Sequence, residues 1–343
     1  MIAQEGKHVF AQKDREEIEW TNCWWSDANQ KTERILLIGD SVTRAIRSSL
    51  EYYMFGQYAV DLFAASFSLS DPLFWKHLNC FMESSDYTYK CIIVQYGVQH
   101  DRFRKCSVSA EERQCFKTQY IRLLKLLIQM CPTVFLMTGN SNADKNQPDK
   151  IDEEFEPEIV CRNSIIKEVG GLFQCDLFDF YLLVRNSNHK FVDNIHLDKN
   201  SYMITANYLA KFLMYRKVIG LQYDDIRKQV IGLIGKSKQI IIYGAGKNAE
   251  DLYWMILFVC GAEYTIDFVQ TIVEKEISCC GRKVLCIDDV PAKSRKEVVL
   301  IISSPVNFCT MESKAVALGF KNIRRYEDFI KVTEVADKER KFV

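Results

Sequence analysis

Neither sign of charge is in excess in this 343-residue chain: Lys and Arg together number 45, and so do Asp and Glu. A balanced surface offers no electrostatic footprint for a polyanion, so neither nucleic acid nor an anionic membrane is expected as a partner. The sequence lacks any apolar run of the roughly 20 residues that a membrane span needs. Its first residues, Met1 to Lys7, lack the apolar stretch of a signal peptide. The 13 cysteines include no C-x-x-C pair, and Cys279-Cys280 is their one adjacent cluster. That scatter excludes a thiolate metal site of ordinary spacing and reads as reduced thiols in a cytosol. The expectation is a cytoplasmic protein, without metal or cofactor, whose partner is a small intracellular molecule. What the chain has in quantity is apolar surface. At 48% hydrophobic residues and this length, two packed cores are expected.

The run Ile35-Leu36-Leu37-Ile38 ends abruptly in Gly39-Asp40-Ser41. A continuous β-branched and leucine run reads as a strand buried on both faces of a parallel sheet, and such sheets place ligands beyond the carboxyl ends of their strands. Ser41 stands there, at the start of the following helix. Far downstream, Asp193-Asn194-Ile195-His196 supplies an acid and a base three residues apart in a polar loop. Ser, His and Asp are the parts of an activated hydroxyl nucleophile: the base takes the hydroxyl proton and the acid orients the base. Each piece alone has a plainer use. Gly-Asp-Ser suits any strand-to-helix turn, with glycine for the backbone and Asp or Ser as a cap, and a lone loop histidine is usually a surface or capping residue.

In combination, Gly39-Asp40-Ser41 and Asp193-x-x-His196 resemble the first and last blocks of the SGNH (GDSL-type) hydrolase family, over roughly residues 34 to 217. Val60 to Ser66, followed by Asp71-Pro72, resembles the second block of a bacterial group within it. The resemblance implies Ser41 as nucleophile, His196 as general base and Asp193 as its orienting acid. It implies an oxyanion site formed by the backbone N–H of Ser41, a backbone N–H at Ala65 or Ser66, and an amide from the third block. That block reads Gly97-Val98-Gln99-His100 where the family has Gly-x-Asn-Asp. Gln99 offers the same amide donor from one methylene further away, and one oxyanion donor is typically worth about 10²–10³ in rate. His100 is a candidate substrate contact, with a structural or merely exposed role as the plainer reading.

Arg44, one helical turn beyond Ser41, can hold an anionic or carboxylate-bearing substrate, although a surface salt bridge is the commoner use of such an arginine. Trp20, Trp24 and Trp25 precede the first strand, either as a sugar platform or, more ordinarily, as an arm packing three indoles on the core. Asp152-Glu153-Glu154 reads as a solvated helix start. His77 reads as structural or exposed, and His189 lies in a polar loop.

Alternating strands and helices predict an α/β fold with a parallel sheet flanked by helices. Strands are expected at 34–38, 58–63, 90–96, 133–138 and near 172–177. Helices are expected from Val42 to Met54, from Asp71-Pro72, from Glu111 to Met130 and after an acidic, Asn-rich loop from Gly139 to Glu158. The first domain is read as residues 1–219, with an N-terminal arm over 1–33. A second, smaller α/β domain is read over 220–343. There the strand Gln239 to Tyr243 leads into Gly244-Ala245-Gly246-Lys247-Asn248-Ala249, a G-x-G-x-x-A turn, with further strands at 265–269, 283–287, 298–302 and near Asn322. This half resembles the Rossmann-like domains of bacterial surface-sugar biosynthesis proteins. Gly244, Gly246 and Lys247 are candidate nucleotide contacts, since such glycines let a phosphate approach a helix N-terminus. An NAD site also wants a carboxylate at the end of the second strand, where this chain has Gln270-Thr271. A nucleotide-sugar site or an interaction module without ligand therefore fits this half better.

The function expected from these features is a serine esterase removing an acyl group, acetyl by resemblance, from a carbohydrate or related small ester. Transfer of the acyl group to a sugar hydroxyl would use the same residues. A non-catalytic binding or scaffold protein in glycan assembly is the alternative of a different class.

Overall fold

Parallel strands that are apolar on both faces must be covered by helices on both sides, and the computed structural model is built that way twice. It describes residues 19–26, 32–54, 56–84, 86–96, 109–186, 189–220, 223–260, 264–273 and 277–338, with side chains at all of these except 223–225 and 333–338. The chain divides into two compact units: residues through Glu51 with Tyr58–Ile219, and Tyr52–Gln57 with Gly220 onward.

The first unit runs β1 (Thr21–Trp24), β2 (Arg34–Gly39), α1 (Ser41–Tyr53), β3 (Ala59–Ala65), α2 (Pro72–Glu83), β4 (Cys91–Gln95), α3 (Ala110–Met130) and β5 (Val134–Met137). It continues through β6 (Ala143–Asp144), β7 (Gln147–Ile151), α4 (Glu156–Leu172), β8 (Leu177–Phe178), α5 (Phe180–Asn186) and α6 (Lys199–Tyr215). Its six-stranded sheet has the order β1-β3-β2-β4-β5-β8. All neighbours are parallel except β1, which pairs antiparallel with β3 from Thr21 opposite Ala65 to Trp24 opposite Leu62. The chain order therefore reverses between β2 and β4, and a crevice at such a reversal is where doubly wound sheets bind ligands. Every residue of β2 is buried. The core beside the sheet includes Leu36, Ile38, Phe63, Phe74, Tyr96, Tyr120, Leu136 and Ile166.

Local signals set the helix starts. The Asp71 carboxylate accepts the Leu73 N–H at 2.8 Å with Pro72 at the first helical position of α2. Ser109 and Glu112 form a reciprocal capping box at the start of α3. Buried Cys91 and Cys131 are core thiols whose pKa values burial pushes above the ordinary range.

Three expectations are corrected. The strand expected near 172–177 is only the pair Leu177–Phe178, because α4 runs on through Leu172. That helix closes where Gln174 takes a left-handed φ of 55° and the Cys175 N–H returns to the Gly170 carbonyl at 2.9 Å. The loop expected from Gly139 to Glu158 contains the β6–β7 hairpin, whose turn is closed by Asp144 Oδ1 accepting the N–H groups of Asn146 and Gln147 at 2.7 and 3.1 Å. The three indoles do not pack as a set. Trp25 stacks on Phe81 with ring centroids 5.1 Å apart, Trp24 is half exposed beneath Arg47, and Trp20 lies beneath Arg44.

The second unit runs α7 (Tyr223–Ile234), β9 (Gln239–Tyr243), α8 (Lys247–Cys260), β10 (Thr265–Gln270), β11 (Ser278–Cys279), β12 (Arg282–Cys286), β13 (Val299–Ile302), α9 (Phe308–Ala317), β14 (Asn322–Arg325) and α10 (Tyr326–Lys338). Its sheet order is β11-β12-β10-β9-β13-β14, with β11 antiparallel to β12 and the remaining pairs parallel. Ile241, Tyr243, Val269, Leu300, Ile302 and Phe308 lie in its core. Among the described residues no helix is long and apolar enough to cross a membrane.

Candidate active site

The end of β2 is shaped by what Gly39 leaves out. A Cβ there would lie 1.9 Å from Thr43 Oγ1 and 2.5 Å from the Gln95 carbonyl oxygen, so only glycine lets α1 start this close to β4. Thr43 fills the space and donates to the Gln95 side-chain oxygen at 2.6 Å. Asp40 caps the helix: its carbonyl accepts the Arg44 N–H and its Oδ1 accepts the Val42 N–H, both at 2.9 Å. Ser41 is thereby the first helical residue. Its N–H is one of the helix-start amides without an intrahelical acceptor, and it has no other acceptor among the described residues.

The second half of the site comes from the loop between α5 and α6. Asp193 Oδ1 accepts the backbone N–H groups of Ile195 and His196, each at 2.7 Å, which folds the loop into a tight turn around its own carboxylate. Asp193 Oδ2 then faces His196 Nδ1 at 2.8 Å, and His196 Nε2 faces Ser41 Oγ at 2.7 Å. A carboxylate can only accept, so Nδ1 carries the ring proton and Nε2 is left to accept the serine hydroxyl. Burial alone would raise the Asp193 pKa. The two backbone donors and the imidazole outweigh it and hold the carboxyl below its usual value. Asp40 goes the other way: it is wholly buried, its Oδ2 has no partner among the described residues, and burial pushes its pKa up to about 6 against the pull of the Val42 and Thr43 amides and of nearby His196.

The loop is tethered by residues that sequence reasoning did not single out. Asn140, buried just beyond β5, donates from Nδ2 to the Ile195 carbonyl at 3.0 Å, and the Ala143 N–H donates to the Asn194 carbonyl at 2.9 Å. Tyr202 on α6 accepts the Leu197 N–H at its hydroxyl, 3.2 Å away. The Gly139 N–H and carbonyl are both held by the Asn163 side-chain amide, at 2.8 and 2.9 Å. The signal available was Asn140 itself, a polar residue directly after a buried strand on the same rim as Ser41. His189 packs at the base of the loop, Nε2 at 3.2 Å from Thr205 Oγ1, and burial lowers its pKa to about 4.

One assigned oxyanion donor is corrected. The Ser66 N–H donates to the Trp20 carbonyl at 3.0 Å, and Ser66 Oγ accepts the Trp20 N–H at 2.8 Å and donates to Glu19 at 2.5 Å. Ser66 extends the β1–β3 ladder by one rung and is committed to the N-terminal segment, not to a bound oxygen. Gln99 and His100 lie outside the described residues. Arg44 forms no salt bridge among the described residues. Its guanidinium carbon stands 4.6 Å from the centre of the Trp20 ring. His77 Nδ1 meets Thr21 Oγ1 at 2.6 Å and is part of the β1 contact.

In the second unit, Gly244 has φ of +125° and a Cβ there would meet Ser303 Oγ at 2.1 Å, which accounts for its glycine without a ligand. Ser303 Oγ donates to the Tyr243 carbonyl at 3.0 Å. Lys247 is paired with Asp251 one turn along α8. Among the described residues no three His, Cys, Asp or Glu side chains gather as a metal would require.

No protein-family model matches the sequence, and no curated protein matches it. Its structure is similar to those of several esterases. An acetyl xylan esterase is 17% identical over 52% of this chain and 99% of its own, with a TM-score of 0.40. The native aryl esterase of M. smegmatis is 14% identical over 55% of this chain and 100% of its own, TM-score 0.40. A carbohydrate acetylesterase family member from Sinorhizobium meliloti is 13% identical over 55% of this chain and 100% of its own, TM-score 0.43.

Proposed function

We propose that the protein is a serine esterase that removes an acyl group, acetyl in the first instance, from a carbohydrate or related small ester. The observation that carries this reading is the continuous relay from Asp193 through His196 to Ser41, at 2.8 and 2.7 Å, gathered from positions 155 residues apart. Ser41 Oγ attacks the acyl carbonyl while its proton passes to His196 Nε2. The C–O bond to the leaving alcohol then breaks as His196 returns the proton to that oxygen. Water, deprotonated by the same imidazole, attacks the acyl-enzyme, and the bond from the acyl carbon to Ser41 Oγ breaks as His196 returns that proton to Oγ, which releases the carboxylic acid. Asp193 holds the tautomer and stabilises the imidazolium between these steps. The Ser41 N–H at the start of α1 is the oxyanion donor among the described residues, supported by the positive end of the helix.

The carbohydrate part of the reading is supported by the motif resemblance and by the partly exposed Trp20 indole beneath Arg44, a residue one turn beyond Ser41. The test is hydrolysis of 4-nitrophenyl acetate by the wild type, Ser41→Ala and His196→Gln, with mass spectrometry for an acetyl adduct on Ser41. Turnover and an adduct that both vanish in Ser41→Ala are expected. Folded wild-type protein with neither would overturn the reading.

A further inference from the structure

Arg44 follows Ser41 by three residues on α1, which puts the two side chains on one helix face, about 5–6 Å apart at Cβ. An exposed arginine near a helix start ordinarily pairs with a carboxylate, and none pairs with this one among the described residues. It lies instead over the Trp20 indole, 4.6 Å from the ring centre to the guanidinium carbon. Trp20 is fixed by two hydrogen bonds of its backbone to Ser66, at 2.8 and 3.0 Å, and Ser66 directly follows β3, the strand next to the one that delivers Ser41. A cation is thus held in place by stacking, with its fork of N–H donors uncommitted to any acid, beside a hydroxyl that already has its base.

Resting on the reading of Ser41 as nucleophile, we infer that the substrate carries a carboxylate, and that Arg44 grips it while the Trp20 ring supports the sugar: an acylated sugar acid. The planar guanidinium matches a carboxylate with two parallel hydrogen bonds. A phosphate dianion suits the place less well, since one cation stands there with the carboxyl groups of Asp40 and Asp193 close to the same serine. A charge-assisted pair of this kind corresponds to about 10- to 100-fold in affinity.

The experiment uses the full chain as wild type, Arg44→Gln and Arg44→Lys, each checked by circular dichroism. Glucuronate, glucose and glucose 6-phosphate are titrated by calorimetry, and hydrolysis of mono-acetylated glucuronate and glucose is followed in parallel. Wild type is expected to prefer glucuronate over both other sugars by at least about tenfold, and to show a similar ratio in kcat/KM between the two esters. Arg44→Gln should bring both ratios near one, and Arg44→Lys should keep part of them. Equal or undetectable binding of glucuronate and glucose, or a preference that survives in Arg44→Gln, would overturn the inference. Tighter binding of glucose 6-phosphate would overturn the carboxylate assignment. An intact binding preference with no ester turnover would support the carboxylate site and sink the esterase reading instead.

Discussion

Replacing Asp40 by Asn should change how stability depends on pH, because Asp40 is a buried carboxyl with one oxygen unpartnered among the described residues. Its pKa rises from 3.8 to about 6 on burial. Between those values the folded chain holds a proton that the unfolded chain has released. The group's contribution to stability is therefore fully present below about pH 4 and is lost as pH rises through about 6. A shift of about two units at about 1.4 kcal/mol each amounts to about 3 kcal/mol, most of it between pH 4 and pH 7. His189 acts in the opposite sense over the same interval: burial lowers its pKa to about 4, so its contribution is lost as pH falls from about 6.5. The wild-type profile alone therefore blends the two, and the difference between the proteins isolates Asp40. Urea unfolding of wild type and Asp40→Asn at pH 4, 5, 6 and 7 should show the variant gaining about 2–3 kcal/mol on the wild type across the series. Parallel profiles would refute the account of Asp40 as a carboxyl strained by burial.

Other substitutions test other parts of the structure. Asn140→Ala leaves the Ile195 carbonyl without its 3.0 Å donor, so kcat on a small ester should fall about 10- to 100-fold with KM little changed, read by steady-state kinetics. Ser66→Ala removes the hydroxyl that clamps Trp20 and Glu19 but leaves the backbone N–H; it should lower stability by about 1–2 kcal/mol in denaturant while keeping kcat on 4-nitrophenyl acetate within a few-fold, and an unchanged unfolding midpoint would refute the clamp. Asp61→Ala strands Arg34, whose Nε and Nη2 donate to the two Asp61 oxygens at 2.8 Å in a fully buried pair, and should cost about 3–5 kcal/mol by urea unfolding.

Much of the candidate site was readable because its signals are local. An uninterrupted Ile-Leu-Leu-Ile run, a glycine forced by Thr43 and Gln95, and an aspartate that caps its own helix all lie within ten residues of one another. The Asp193 turn is equally local: Asp193 closes on amides two and three residues ahead. Long-range partners are a different matter. Nothing near Asn140 announces that it will hold a carbonyl 55 residues away, and nothing in Val60–Ser66 shows that its last amide meets Trp20. Strand β1 escaped for the same reason, since Thr21-Asn22-Cys23-Trp24 has neither a continuous apolar run nor clean alternation. The strand misplaced at 172–177 shows short-range ambiguity, because a helix end and a two-residue strand share one apolar stretch.

The antiparallel seat of β1 bears on more than geometry. In its absence, β3 would border solvent with a row of unpaired amides and carbonyls along an apolar strand, the kind of open border that recruits a neighbouring molecule into intermolecular pairing. The opposite margin is β8, two residues long and too short to serve as a template. The four residues of β1 thus guard the sheet against self-association while they continue the segment that holds Trp20 against Ser66. Weakening them for one purpose would be felt in the other: a variant of Thr21–Trp24 that aggregates should also release the Trp20 ring from Arg44.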